Sequence, residues 1–306
     1  MIQILTYAAI VIFILVSIVR VRHWASSPFH LRWEIYPVYH EKGKEYGGSY
    51  YEELNWWEKP RNPTLMGTLK YMLAEIFLVR GLWKNQRKLW YASFPFHFGL
   101  YLLCAFIVLL LIGAIIEAFG SIVSAASAKE LIVLITYLTT ITGFAGLIMG
   151  LAGATGLLIM RAVVEDLRLY SSFVDYFNLV FFIALFASWL ITCITYGQMH
   201  DFSLARNYAA DLITLRAAGN PGLAFSVSLL LLDLMLIYLP FTYMLHPLAK
   251  YFLYHNVKWD DKPNTAGGPL EQKVESALQK PISWSAPHIR GDGRKTWQDV
   301  IDEEVE

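Results

Sequence analysis

The sequence predicts an all-α membrane protein, a bundle of five transmembrane helices. Three observations carry this. The chain is 56% hydrophobic and only 16% charged, leaving more apolar surface than a water-soluble fold of this length covers. Five apolar runs, at 2–19, 94–116, 131–160, 176–196 and 223–249, each reach the roughly 18 residues that cross a bilayer. The runs do not alternate polar and apolar residues, so they read as helices and not as strands of a closed barrel.

Run 2–19 has neither a basic leader nor an A-x-A cleavage pattern, and reads as a retained first helix. Residues 20–93 follow as a polar region. Its stretch RWEIYPVYHEKGKEYGGSYYEELNWWEKPRNP is too aromatic for a disordered linker. Two readings stand: a docking platform for a protein partner, or a segment whose Trp33, Trp56 and Trp57 sit at headgroup level. Next, Leu65, Leu69, Met72, Leu73, Ile76 and Val79 recur at helical spacing between charged residues, which suits a helix lying in the membrane surface. Residues 94–249 hold the other four spans. Within them Gly143, Gly146, Gly150, Gly153 and Gly156 let a neighbouring helix or a flat cofactor approach closely. Residues 250–306 are a polar tail.

The net charge is zero, so no basic surface for nucleic acid is expected, and orientation follows from where Lys and Arg lie. Twelve fall between Arg20 and Lys88, Arg161 and Arg168 follow the third span, and eight fall between Lys250 and Lys295. Lys129, Arg206 and Arg216 are alone on the opposite side. The basic side is the cytoplasmic side. The N-terminus is therefore expected outside, and the C-terminus and both large polar stretches in the cytoplasm. Both cysteines, Cys104 and Cys193, lie in apolar runs and read as small core residues. No C-x-x-C-H and no cysteine cluster is present, so iron–sulfur chemistry would belong to another polypeptide.

Of eight histidines, His23, His30, His40, His200, His255 and His288 lie outside the spans, where solvation is the default. His97 and His246 lie within them, each near the cytoplasmic end of its span in this orientation. Ligand-type side chains inside a span are functional candidates. Two imidazoles at matching depth on facing helices suit the two axial positions of a haem b. Arg20, Arg22, Arg87, Lys88 and Arg161 lie at that level and would neutralise propionates. The alternative is a pair of interfacial histidines making ordinary hydrogen bonds.

The segments FHFGLYLL around His97 and LPFTYMLH ending at His246 resemble the haem-bearing helices of the gamma subunit of respiratory nitrate reductase. The resemblance continues through GLLIMRAVVEDLR and Asp175, and covers roughly 90–250. The 20–93 region is more similar to cytochromes b of heterodisulfide-reductase-like complexes of sulfate reducers, including the sulfite-reduction-associated and tetrahaem-cytochrome transmembrane complexes. The resemblance implies a haem b electron-transfer subunit of an anaerobic respiratory oxidoreductase, with one haem per chain held by His97 and His246. It also implies a quinone or menaquinone substrate, a cytoplasmic iron–sulfur partner, and further membrane and periplasmic cytochrome c subunits. It places a second histidine pair at positions held here by Ile107 and Ser228, neither of which ligates iron. An outer haem is therefore not expected.

A quinone at the outer mouth would then lie far from the remaining haem. Either quinone binds nearer the middle, or a partner's cofactors deliver the electrons. Candidate quinone-site residues are Asp233, Lys129, Tyr137 and His200, with Asp233 foremost because it is an acid inside a span. A structural, hydrogen-bonded aspartate is the alternative. Rival functions are a true nitrate reductase gamma subunit and a cofactor-free membrane anchor. A transporter lacks support, since neither an internal repeat nor paired broken helices are visible.

Overall fold

The computed structural model describes residues 2–27, 41–42, 52–59, 64–197, 201–219, 222–253, 266–286, 289 and 291–303. Trp33, most of the aromatic stretch, and His30, His40, His200, His255 and His288 lie outside the described residues. The chain divides into two compact units, Met1–Ile18 with Leu73–Leu245, and Val19–Met72 with His246–Glu306.

Five helices are long and apolar enough to cross a membrane. They are α1 (Ile2–Ser26), α4 (Arg87–Ala118), α5 (Glu130–Val163), α7 (Phe173–Thr195) and α9 (Leu223–Tyr238), the last prolonged to Phe241 by a 3-10 turn. The five expected spans are thus present, mostly longer than their apolar cores because the helices run on into polar flanks. Shorter helices are α2 (Leu65–Leu78), α3 (Arg80–Asn85), α6 (Glu165–Leu169), α8 (Ser203–Ile213), α10 (His246–Leu253), α11 (Pro269–Leu278) and α12 (Trp297–Asp302). The β features include isolated bridges between Pro281 and Thr296 and between Ala286 and Ile289.

In the first unit α4 and α5 run antiparallel with their backbones touching. A Cβ added at Gly99 would stand 2.4 Å from the Gly150 nitrogen, and one at Gly153 would stand 2.3 Å from the Phe96 nitrogen. Gly143 and Gly150 are covered by the rings of Phe202 and Phe186. The glycines therefore serve helix and side-chain packing. α7 packs on α5 and α9 on α7, around a core of Phe96, Leu147, Leu157, Phe182, Phe186 and Met235. Cys193 joins this core, whereas Cys104 is exposed on α4, because helical periodicity turns that position outward.

The helical path is broken at two places. The surface helix does not feed directly into α4: Val79 takes a left-handed conformation (φ 49°), and α3 intervenes before Gln86. Glu75 accepts from the Gly81 N–H at 2.9 Å, and the Trp90 ring N–H donates to the Leu78 carbonyl at 2.8 Å, which holds the bend. The fifth span likewise does not run unbroken over 223–249. Pro240 has no N–H for the helix ladder, so α9 gives way to 3-10 turns at Leu239–Phe241 and Tyr243–Leu245, with Thr242 extended between them. His246 opens α10 with Pro247 behind it, where a proline is tolerated.

The second unit contains a folded tail. The Ile282 N–H donates to Lys295 O and the Trp297 N–H to Lys280 O, which brings α11 and α12 together over Leu270 and Ile282. Asp299 caps α12 from the Thr296 N–H and hydroxyl, and those bonds hold its carboxyl below the usual range.

Gly153→Ala forces α4 and α5 apart and is expected to cost about 1–3 kcal/mol. Gly219→Ala, where the added carbon meets nothing within 4 Å, is the control. Equal thermal midpoints for the two variants in detergent would contradict the close-packed seam.

Candidate functional site

His97 is half-buried on α4, ten residues beyond its first residue Arg87, and is flanked by Phe96 and Gly99, which pack on α5. Its Nδ1 lies 2.8 Å from the Ser93 carbonyl oxygen and 3.2 Å from Ser93 Oγ. A carbonyl only accepts, so Nδ1 carries the proton and a neutral ring keeps its lone pair on Nε2. Fixing a ring in this way is how proteins orient an imidazole for a metal. His97 thus has the tautomer that an axial ligand needs. His246, the other expected ligand, is the first residue of α10, just after the Tyr243–Leu245 turn.

The segment leading to His246 is held by a polar network that composition did not reveal. Tyr243 OH donates to Asp175 Oδ1 at 2.7 Å and accepts from Asn178 Nδ2 at 3.1 Å. Tyr238 OH donates to Asn178 Oδ1 at 2.8 Å. Arg161 closes the network: its NH1 donates to Ser171 Oγ at 2.7 Å, and its NH2 lies 4.0 Å from Asp175 Oδ1. α7 therefore grips both tyrosines that bracket the Pro240 break. Asp175 stood out in the sequence only through the family resemblance, and buried Asn178 gave no signal.

The expected basic cluster has particular partners in the structure. Arg20 lies over the Trp24 ring and Arg87 over the Trp83 ring, while Arg161 faces Ser171 and Asp175. Arg22 and Lys88 are exposed.

The four quinone candidates stand in different environments. Lys129, which caps α5, and Tyr137 are exposed, whereas Asp233 is fully buried on α9. His200 lies outside the described residues. One continuous helix would put His246 about 20 Å along the axis from Asp233, but α9 ends at Tyr238.

The two positions of the second histidine pair are unlike in setting. Ile107 is exposed on α4, and Ser228 is fully buried with its hydroxyl 2.8 Å from Thr192 Oγ1. The nearby end of the bundle is closed by α8, which lies between the fourth and fifth apolar runs. Phe202 is wedged beside Gly143 with φ 49°, a strained conformation that its burial holds in place. Buried Arg206 crosses Gly113 and donates to Glu117 Oε1 at 2.7 Å and to the carbonyls of Val123 and Asp201, each at 2.8 Å. Beside it is an open pocket of about 570 Å³ lined by Glu117, Ser121, Asn207, Asp211 and Arg216 among others. Among the described residues, no three His, Cys, Asp or Glu side chains gather into a metal site.

Five apolar helices define a multi-pass membrane protein. The nitrate reductase gamma subunit family model matches residues 82–259, and the chain belongs to that family. Its members are membrane haem b electron-transfer subunits of respiratory oxidoreductases, working within multi-subunit complexes. No curated protein and no solved structure matches the chain.

Asn178→Ala would leave the Tyr238 and Tyr243 hydroxyls without their shared partner. A loss of about 1 kcal/mol is expected, the scale of a hydrogen bond between membrane helices. Unfolding followed by a fluorophore on α10 would measure it, and an unchanged midpoint would remove the network from the stability of this segment.

Proposed function

We propose that this chain is a mono-haem cytochrome b subunit whose axial ligands are His97 and His246. The observation that carries the reading is the Nδ1–H of His97 donating to the Ser93 carbonyl at 2.8 Å, which presents Nε2 as a ligand nitrogen. The haem would supply reversible one-electron transfer within the bilayer. The protein's own groups hold and tune that centre. Ser93 orients His97, the Asp175–Tyr243–Asn178 network steadies the approach to His246, and the apolar helices around them exclude water. Arg20, Arg87 and Arg161 are the cations assigned to the propionates; Arg161 would share its charge between them and Asp175.

Electrons pass between a quinone pool, or a periplasmic cytochrome partner, and a cytoplasmic iron–sulfur subunit of the heterodisulfide-reductase-like kind. The basic residues of 20–93 and 250–306 support cytoplasmic docking there, with the N-terminus outside. Ile107 and Ser228 support one haem over two, which favours this branch over a true nitrate reductase gamma subunit. Asp233 is the quinone-linked acid within this reading.

The first test is a dithionite-reduced minus oxidised spectrum of the detergent-purified protein, with haem quantified per chain. One haem b per chain is expected, lost in His97→Ala and in His246→Ala. Folded protein that is colourless would sink the reading in favour of a bare anchor, and two haems would sink the mono-haem assignment. In the assembled complex, Asp233→Asn is expected to slow quinone-linked turnover and to keep the haem spectrum. Unaltered turnover would take Asp233 out of the mechanism.

A further inference from the structure

α1 buries little of itself: Thr6 and Ala9 are its buried residues. Thr6 is thus a hydroxyl on a largely apolar helix, and it meets other polar groups. Its Oγ1 donates to Asp233 Oδ2 on α9 at 2.9 Å and lies 2.8 Å from the Tyr208 hydroxyl on α8. The same oxygen lies 3.2 Å from the Ile2 carbonyl, a second acceptor for its hydrogen. Asp233 has no exposed surface, and its other oxygen, Oδ1, has no hydrogen-bond partner among the described residues. The buried cation of α8 is engaged elsewhere, since Arg206 bonds Glu117 and the carbonyls of Asp201 and Val123. Tyr7, next to Thr6, donates to the Leu212 carbonyl at 2.7 Å.

An ionised carboxylate so placed would be a buried charge with one oxygen unsatisfied and no counter-ion among the described residues, which the bilayer penalises heavily. The neutral acid carries no such penalty. Thr6 and Tyr208 each carry one hydroxyl hydrogen and can accept another, so the bonds can run in either sense. We propose that Asp233 is a proton-holding site inside the membrane, and that Thr6 and Tyr208 are the wire by which its proton reaches the α8 end of the bundle. In release, the Asp233 O–H bond breaks as a Thr6 O–H bond forms. The original Thr6 hydrogen moves to Tyr208, and the original Tyr208 hydrogen passes to water. The products are a carboxylate, two neutral hydroxyls and one proton in water, with no change of oxidation state. The proton site and its wire do not depend on the function proposed above.

The test is infrared spectroscopy of the purified full chain in lipid, on transfer from H2O to D2O. A carboxylic acid C=O band that is absent in Asp233→Asn is expected, and it should shift as the proton exchanges for deuterium. Exchange should slow about tenfold in Thr6→Val and in Tyr208→Phe, the effect of removing roughly one hydrogen bond from the transfer path. Thr6→Ser, which keeps the hydroxyl, should restore the rate. A band missing from the unaltered chain, or unaffected by Asp233→Asn, would overturn the proton site. Exchange equally fast in Thr6→Val, Tyr208→Phe and the unaltered chain would overturn the wire. So would a failure of Thr6→Ser to restore it, since that would leave the threonine methyl, and not its hydroxyl, as the cause. Haem is measured on the same samples. Exchange as expected in protein without haem would support this proposal while the cytochrome reading fell.

Discussion

The backbone seam between α4 and α5 is the constraint on which the first unit depends. Gly99 against Gly150, and Phe96 against Gly153, bring two helices to a separation that no side chain permits. In lipid there is little hydrophobic reward for pressing helices together, so close van der Waals contact along such a seam holds a bundle. The seam also fixes the rotation of α4. With Phe96 and Gly99 turned onto α5, His97 between them is set half-buried at its edge, and Ser93 one turn earlier is in place to orient the ring. A packing device thus decides how a candidate ligand is presented.

Buried polar groups do the rest of the positioning, and they cluster at two ends. At one end α7 offers Asp175 and Asn178 to the tyrosines around the Pro240 break, restoring partners where the helix ladder lapses. At the other end Arg206 satisfies its guanidinium on Glu117 and two carbonyls, so α8 is an integral lid and not a slack connection. A side chain in hydrocarbon keeps a charge only where such partners are present. Asp233 lacks such partners among the described residues, with one oxygen satisfied and the other not, and that asymmetry sets it apart from the structural polar residues.

The sequence by itself determined the class of fold. Five apolar runs longer than a bilayer is thick leave few alternatives, because the burial they demand is a property of composition. It also marked His97, His246 and Asp233 as unusual, since a polar group in an apolar run stands out without any structure. The tertiary structure decided which neighbours those groups have. Apolar periodicity is blind to that choice: it could not tell that the glycines meet helices, that Cys104 faces outward, or that Thr6 bonds Asp233 and Tyr208, which lie 227 and 202 residues further along the chain. Nor did hydropathy register the break after Tyr238, because Pro240 and the 3-10 turns around it are as apolar as the helix they interrupt. Hydropathy measures what leaves water, whereas hydrogen-bond partners and helix ends are set by geometry that only the packed chain supplies.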